Sequence, residues 1–185
     1  MISNQREAHI VIHIIINTSI EAKGRKTDHK KINIFNLATQ YNMARILVTG
    51  GAGYIGSILT RLLLMKGYKV RILDNLMFGG ESIVELLNYS DFDFVKGDIR
   101  KNEDCRKALA DVDHIVHLAA VVGDPACAKH PKLARETNLV STKNLYMFAN
   151  EFGLERFIFA STCSNYGKSS NPEDYMDENS ELSPI

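Results

Sequence analysis

The stretch Arg45-Ile-Leu-Val-Thr-Gly-Gly-Ala-Gly-Tyr-Ile-Gly56 sets a β-branched, apolar run directly before glycines at positions 50, 53 and 56. Arg45 to Thr49 reads as a buried strand, and Ile58 to Lys66 has apolar residues at helical spacing. A strand, a glycine-rich turn and a helix in that order form the first half of a dinucleotide-binding unit. Each glycine has a distinct task. Gly50 permits the tight turn out of the strand, Gly53 lets the backbone approach a pyrophosphate, and Gly56 lets the helix pack closely on the strand. The helix N-terminus then offers N–H groups and the positive end of its dipole to the phosphates.

Outward from this unit the pattern alternates. Lys69 to Leu73 is a second strand closed by Asp74, and Ser82 to Asn88 a short helix or turn after Gly79-Gly80. Phe92 to Val95 is a third strand ending at Gly97-Asp98, and Asn102 to Ala110 a helix with Asn102 as its N-cap. Asp113 to Leu118 is the fourth strand, followed by a loop over Ala119 to Ala126. Lys132 to Phe152 reads as one long helix with Leu133, Leu139, Leu145, Phe148 and Ala149 on its apolar face, stopped by Gly153. Arg156 to Ala160 is the fifth strand, and Ser161 to Ile185 a polar loop. Such alternation implies an α/β fold with a doubly wound parallel sheet, Rossmann-like, its ligand at the carboxyl ends of the strands.

Residues 1–42 do not match this pattern. Ala8 to Ile16 is isoleucine-rich but too short to span a bilayer, and Lys23 to Lys31 is a basic, polar linker. Met43-Ala-Arg45 stands where such a domain would begin, so we read 1–42 as an extension outside the core; a genuine N-terminal strand or targeting arm is the alternative. Elsewhere composition narrows the field. An apolar fraction of 45% is ample for a core, and the net charge of zero argues against nucleic acid or an anionic membrane as the main partner. Three cysteines without a CxxC pair fit a reduced, cytoplasmic protein. No cluster of metal-ligand spacing stands out, His9 and His13 lacking nearby partners.

Asp74 lies eighteen positions beyond Gly56. A carboxylate there accepts hydrogen bonds from both ribose hydroxyls of an adenosine and repels a 2′-phosphate, which favours NAD over NADP. Asp98 and Ile99 end the third strand where an adenine would lie. His117 reads as a hydrogen-bonded core imidazole in preference to a catalytic group.

Taken together, Thr49 to Gly56, Asp74-Asn75, Gly97-Asp98, His117-Leu-Ala-Ala120, Asn138 and Phe157-Ile-Phe-Ala-Ser-Thr-Cys-Ser-Asn-Tyr-Gly167 resemble the extended short-chain dehydrogenase/reductases, the NAD-dependent epimerases and dehydratases of nucleotide sugars. The resemblance runs from Met43 to the end of the chain. It implies pyrophosphate contacts on Gly50, Gly53, Tyr54, Ile55 and Gly56, ribose contacts from Asp74 and Asn75, and adenine contacts from Asp98 and Ile99. It further implies that Ala119 and Ala120 flank the nicotinamide, and that Asn138 lies near the cofactor or supports the active-site backbone. Thr162 falls at the family's catalytic Ser/Thr, whose hydroxyl bonds the sugar oxygen as carbonyl character comes and goes.

The family's remaining catalytic pair is a Tyr and a Lys four residues apart, and no tyrosine in this chain has that spacing. The expectation is therefore a domain over residues 43–185 that stops before the Tyr-x-x-x-Lys helix and the substrate lobe, with a sheet incomplete at the C-terminus and no turnover of its own. Cys163, Ser164 and Asn165 follow Thr162, without the acid that the family's dehydratases and decarboxylases carry there. This departure points to a nucleotide-sugar 4-epimerase, with a 4,6-dehydratase or reductase and a non-catalytic NAD-binding module as alternatives. The resemblance also implies a homodimer formed through the helices at 102–110 and 132–152.

Overall fold

The computed structural model describes residues 44–162. Five strands make one sheet in the order β3-β2-β1-β4-β5, and every pairing is parallel. They are β1 (Arg45–Thr49), β2 (Lys69–Asp74), β3 (Phe92–Lys96), β4 (His114–His117) and β5 (Arg156–Phe159). Between them run α1 (Tyr54–Met65), a 3-10 helix at Glu81–Asn88, α2 (Asn102–Leu109), α3 (Asp124–Lys129), α4 (Pro131–Arg135), a π-helical turn at Glu136–Ser141 and α5 (Thr142–Glu151).

A parallel sheet needs crossover helices, and these bury both of its faces. The period-two alternation of strand side chains accordingly feeds two cores. Ile46, Val48, Val70 and Ile72 pack with Leu59 and Leu63 of α1 and with Ile83 and Leu86 of the 3-10 helix. Leu47, Leu73 and Ile115 point the other way, into a cluster with Cys105, Leu109, Leu145 and Phe148 of α2 and α5. Arg71 would interrupt the second face, but its charge is fully engaged. Its Nε donates to Asp93 at 2.6 Å, and Nη1 donates to the carbonyls of Ala108 and Ala110 at 3.0 and 2.6 Å. A cation thus caps the C-terminal end of α2, where the helix dipole favours it.

Several boundaries differ from the sequence reading. Helix α1 begins at Tyr54, directly at the turn, and Lys101 rather than Asn102 is the N-cap of α2, with no side-chain cap bond. The loop expected over 119–126 ends in α3, whose Pro125 suits a first helical turn. The single helix expected over 132–152 is α4, the π turn and α5. Ser141 Oγ donates to the carbonyl of Glu136 five residues back at 2.8 Å, within that wider turn. One extra residue per turn rotates the apolar stripe, so Leu145, Phe148 and Ala149 are buried while Leu139 is exposed. Gly153 ends α5 as anticipated, at φ 72°, with Leu154 N–H reaching the carbonyl of Ala149 at 2.9 Å. Residues 1–43 and 163–185, with the expected extension and most of the polar loop, lie outside the described residues.

Candidate functional site

The chain builds β1, β2 and β3 in one direction, then crosses back to place β4 on the other side of β1. Above the carboxyl ends of β1 and β4 the crossovers diverge, and open α/β sheets bind ligands in that crevice. Register fixes what meets there, since Thr49 lies opposite Leu73 on β2 and His117 on β4. The segment after β1 rests directly on the segment after β4. Gly50 has φ 70°, and a Cβ on it would lie 2.8 Å from both Cα and N of Ala119. Only glycine allows this turn and this approach.

The rest of the turn is equally close. A Cβ on Gly56 would lie 2.3 Å from the Gly50 carbonyl oxygen and 2.6 Å from Gly51 Cα, so the first turn of α1 sits against the glycine loop. Gly51, which the spacing argument passed over, is as restricted: a Cβ there would fall 2.4 Å from Ile72. Gly53 is the N-cap of α1, and no side chain caps that helix end. The N-terminus carrying Tyr54, Ile55 and Gly56 therefore opens beside the crevice with no side-chain anion of its own.

Asp74 ends β2 and holds the turn from the side. One carboxylate oxygen accepts the Ala52 N–H at 3.0 Å, and the other accepts the Leu76 N–H at 2.8 Å. Each oxygen retains a second lone-pair direction for a hydroxyl. Ser82 Oγ donates to the Ala52 carbonyl at 2.6 Å, a second brace that sequence reasoning missed. Asn75 Oδ1 accepts the Met77 N–H at 2.9 Å.

Asp98 stands just past the carboxyl end of β3, at the start of the third crossover, in a fork with the Arg100 side chain and main chain. The hydrogen bond from Arg100 holds its carboxyl below the usual value of 3.8, against the opposing effect of burial. Ile99 is 6% exposed and packs in the α2–α5 core. Any contact it makes with a ligand is therefore through its main chain. Its carbonyl accepts from the Cys105 thiol at 3.1 Å, and burial pushes that thiol up to about 12, so Cys105 is a packing residue.

On the other side of the crevice, His117 is 1% exposed with both ring nitrogens engaged, Nδ1 with Thr49 Oγ1 at 2.6 Å and Nε2 with Thr142 Oγ1 at 2.8 Å. Burial brings its pKa down from 6.5 to about 4. It is the core imidazole that the sequence suggested. Asn138, in the π turn, grips Val121 twice: Oδ1 accepts its N–H at 2.8 Å and Nδ2 donates to its carbonyl at 2.7 Å. The backbone of Ala119 to Val121 is thereby fixed at the crevice edge. Thr162 lies three residues past β5, exposed on the same carboxyl side of the sheet. Among the described residues no group of three or more His, Cys, Asp or Glu side chains could hold a metal ion.

A sequence model of the NAD dependent epimerase/dehydratase family matches residues 46–185. The chain belongs to that family. A UDP-glucose 4-epimerase of Rhizobium meliloti is 36% identical over 142 residues, which are 76% of this chain and 41% of the relative. UDP-glucuronic acid decarboxylase 1 of Danio rerio is 35% identical over 124 residues, 66% of this chain and 28% of the relative. Among solved structures, the Thermus thermophilus UDP-glucose 4-epimerase complex with NAD superposes with TM-score 0.68 at 33% identity, covering 76% of this chain and 44% of that one. The dTDP-glucose 4,6-dehydratase of Streptomyces venezuelae with NAD bound gives 0.69 at 34%, covering 76% and 45%. The chain thus spans less than half the length of these relatives.

As an epimerase/dehydratase domain, the protein brings Gly50, Gly53, Gly56, Asp74, Ala119 and Asn138 to one crevice by sheet topology alone. Missed from sequence were Gly51, Ser82 and the partners of His117. Gly51 had a signal, standing beside Gly50 after an apolar strand. Ser82 and Thr142 had none, because their contacts join segments 30 and 25 residues apart.

Proposed function

We propose that this chain is the N-terminal, NAD-binding part of a nucleotide-sugar 4-epimerase. The observation that carries the reading is the glycine turn seated on Ala119 with Asp74 bonded into it at Ala52. The fit to a dinucleotide is concrete: the turn leaves no room for a Cβ at Gly50, Gly51 or Gly56, the helix end beside it lacks a side-chain cap, and a carboxylate stands one strand away. In this reading Gly50, Gly53, Tyr54, Ile55 and Gly56 hold the pyrophosphate, and Asp74 and Asn75 the ribose. Asp98 and the Ile99 main chain border the adenine, and Ala119 and Ala120 border the nicotinamide. Asn138 keeps that last backbone in place.

NAD held by these residues would supply a hydride acceptor and donor for the sugar C4. Thr162 would hydrogen-bond the C4 oxygen as it gains and loses carbonyl character. Identities of 36%, 35% and 34% to an epimerase, a decarboxylase and a dehydratase do not separate these reactions. The residues after Thr162 favour epimerisation, since Cys163, Ser164 and Asn165 supply no acid for loss of water. A 4,6-dehydratase or reductase is the nearest alternative. No tyrosine of the sequence has a lysine four residues on, so the reading expects cofactor binding without turnover from these 185 residues, with a non-catalytic NAD-binding module as the further alternative.

The assembly proposed for the chain uses the α2–α5 pair. Arg106 forks onto Glu151 at 2.7 and 2.8 Å and lies 4.4 Å over the Phe148 ring, while Met147 remains exposed on α5 and Tyr146, also exposed, sets its ring edge-on to Phe157 of β5. We read this surface as a homodimer face of a cytoplasmic protein. Calorimetric titration with NAD tests the cofactor assignment: the reading expects saturable binding by the chain, no epimerisation of UDP-sugars, and loss of binding in Asp74→Ala. Equal affinity of that variant would refute the assignment.

A further inference from the structure

We propose that His117 is a positioning residue that couples the glycine turn after β1 to the loop after β4, so that ordering either one orders the other. The proposal takes its purpose from the cofactor reading above, but its geometry stands without a cofactor. The donors and acceptors run in one direction. Ala119 N–H points to Thr49 Oγ1 at 3.3 Å, and the Thr49 hydroxyl donates to His117 Nδ1. His117 Nε2–H donates to Thr142 Oγ1, whose hydroxyl donates to the Asn138 carbonyl at 2.9 Å. Asn138 then closes the circuit on Val121.

Every group in this chain is satisfied by a single neutral tautomer, with the proton on Nε2. Thr49 is 0% exposed and immediately precedes Gly50. The ring is wedged against Phe159 and Phe157, at centroid distances of 5.8 and 6.0 Å. An apolar side chain would fill the same volume but take the ring nitrogens from the buried Thr49 hydroxyl and the half-buried Thr142 hydroxyl. This polar chain joins the two rims of the crevice through the core. Displacing either end breaks a buried hydrogen bond at the other, which is the physical content of the coupling.

Three substitutions separate coupling from packing. His117→Phe keeps the aromatic volume and removes both bonds. His117→Asn keeps an acceptor near the Nδ1 position for Thr49, and His117→Gln keeps a donor near the Nε2 position for Thr142. Amide hydrogen exchange of the ligand-free chain at Gly50 and Val121 reads the two rims, with a titration of NAD alongside. In His117→Phe both amides are expected to exchange about tenfold faster than in the wild type while the sheet interior is unchanged, the effect of one lost buried hydrogen bond. His117→Asn and His117→Gln each keep one of the two bonds, and neither is expected to restore wild-type exchange at both amides.

Should His117→Phe fail to fold, Thr142→Val keeps the ring and removes only the second half of the circuit. It is expected to speed Val121 and to weaken NAD several-fold while β1 stays protected. The proposal is overturned if Val121 and Gly50 keep wild-type exchange in these variants, or if all core amides accelerate equally. If the rims respond together but the wild-type chain binds no NAD, the coupling stands and the cofactor reading falls.

Discussion

Asp74 and His117 show how much of this site rests on single side chains. Asp74 Oδ2 receives Ala52 N–H and Oδ1 receives Leu76 N–H, so Asp74→Ala strips two main-chain donors of their acceptor. A net loss of about 1–3 kcal/mol in cofactor binding is expected, seen as a ten- to hundredfold weaker NAD Kd. His117 makes a prediction about pH. Its ordinary pKa of 6.5 falls to about 4 in the folded protein because burial disfavours the charged ring. As pH drops the unfolded chain takes up the proton first, so stability is whole above pH 6.5 and declines toward pH 4. Linkage sets the loss at roughly 3 kcal/mol. Urea unfolding at pH 7 and pH 4.5 should show it, and His117→Phe should show a shallower decline. At this scale the sequence was informative about roles but not about partners. Asp74 was legible because it ends a strand at a fixed distance from the glycines. Thr142 was silent because its relation to His117 exists only once α5 packs on β4.

Among the elements, the glycine turn and α1 form one unit. Gly56→Ala would put its methyl carbon 2.3 Å from the Gly50 carbonyl. Backbone on both sides leaves that contact no flexible group to yield, so α1 must shift from the turn. We expect Gly56→Ala to lower the Tm by several degrees, consistent with about 1–3 kcal/mol of overpacking, and to abolish NAD binding. Asn138→Ala tests the π turn in the same way. With its two bonds to Val121 gone, NAD affinity should fall about tenfold, with little change in thermal stability because Asn138 is exposed. Strands and α1 were legible because their apolar runs have clear periods. The π turn was not: Lys132 to Phe152 keeps an approximate helical period, and the wider turn that exposes Leu139 is set by Ser141 reaching Glu136 and by Asn138 reaching Val121, contacts with no periodic signature.

For the whole molecule, the sheet order β3-β2-β1-β4-β5 is what converts separate motifs into one crevice. Alternation of strands and helices in the sequence implied this arrangement, because crossover connections are right-handed and a doubly wound sheet has few orders open to it. The family match over residues 46–185 agrees with it. The exposed Tyr146, Met147 and Leu139 near α2 and α5 carry the assembly prediction: the chain should sediment as a dimer, and Met147→Glu should give a monomer. The proposed role of the crevice is to hold NAD and, through Asp74, to discriminate against a 2′-phosphate. The most direct measurement is the thermal unfolding midpoint of the 185-residue chain in the presence of NAD or NADP at equal concentration. NAD is expected to raise the Tm in a concentration-dependent way, NADP to raise it far less, and Asp74→Ala to narrow the difference. No shift with either nucleotide, or an equal shift with both, would contradict it.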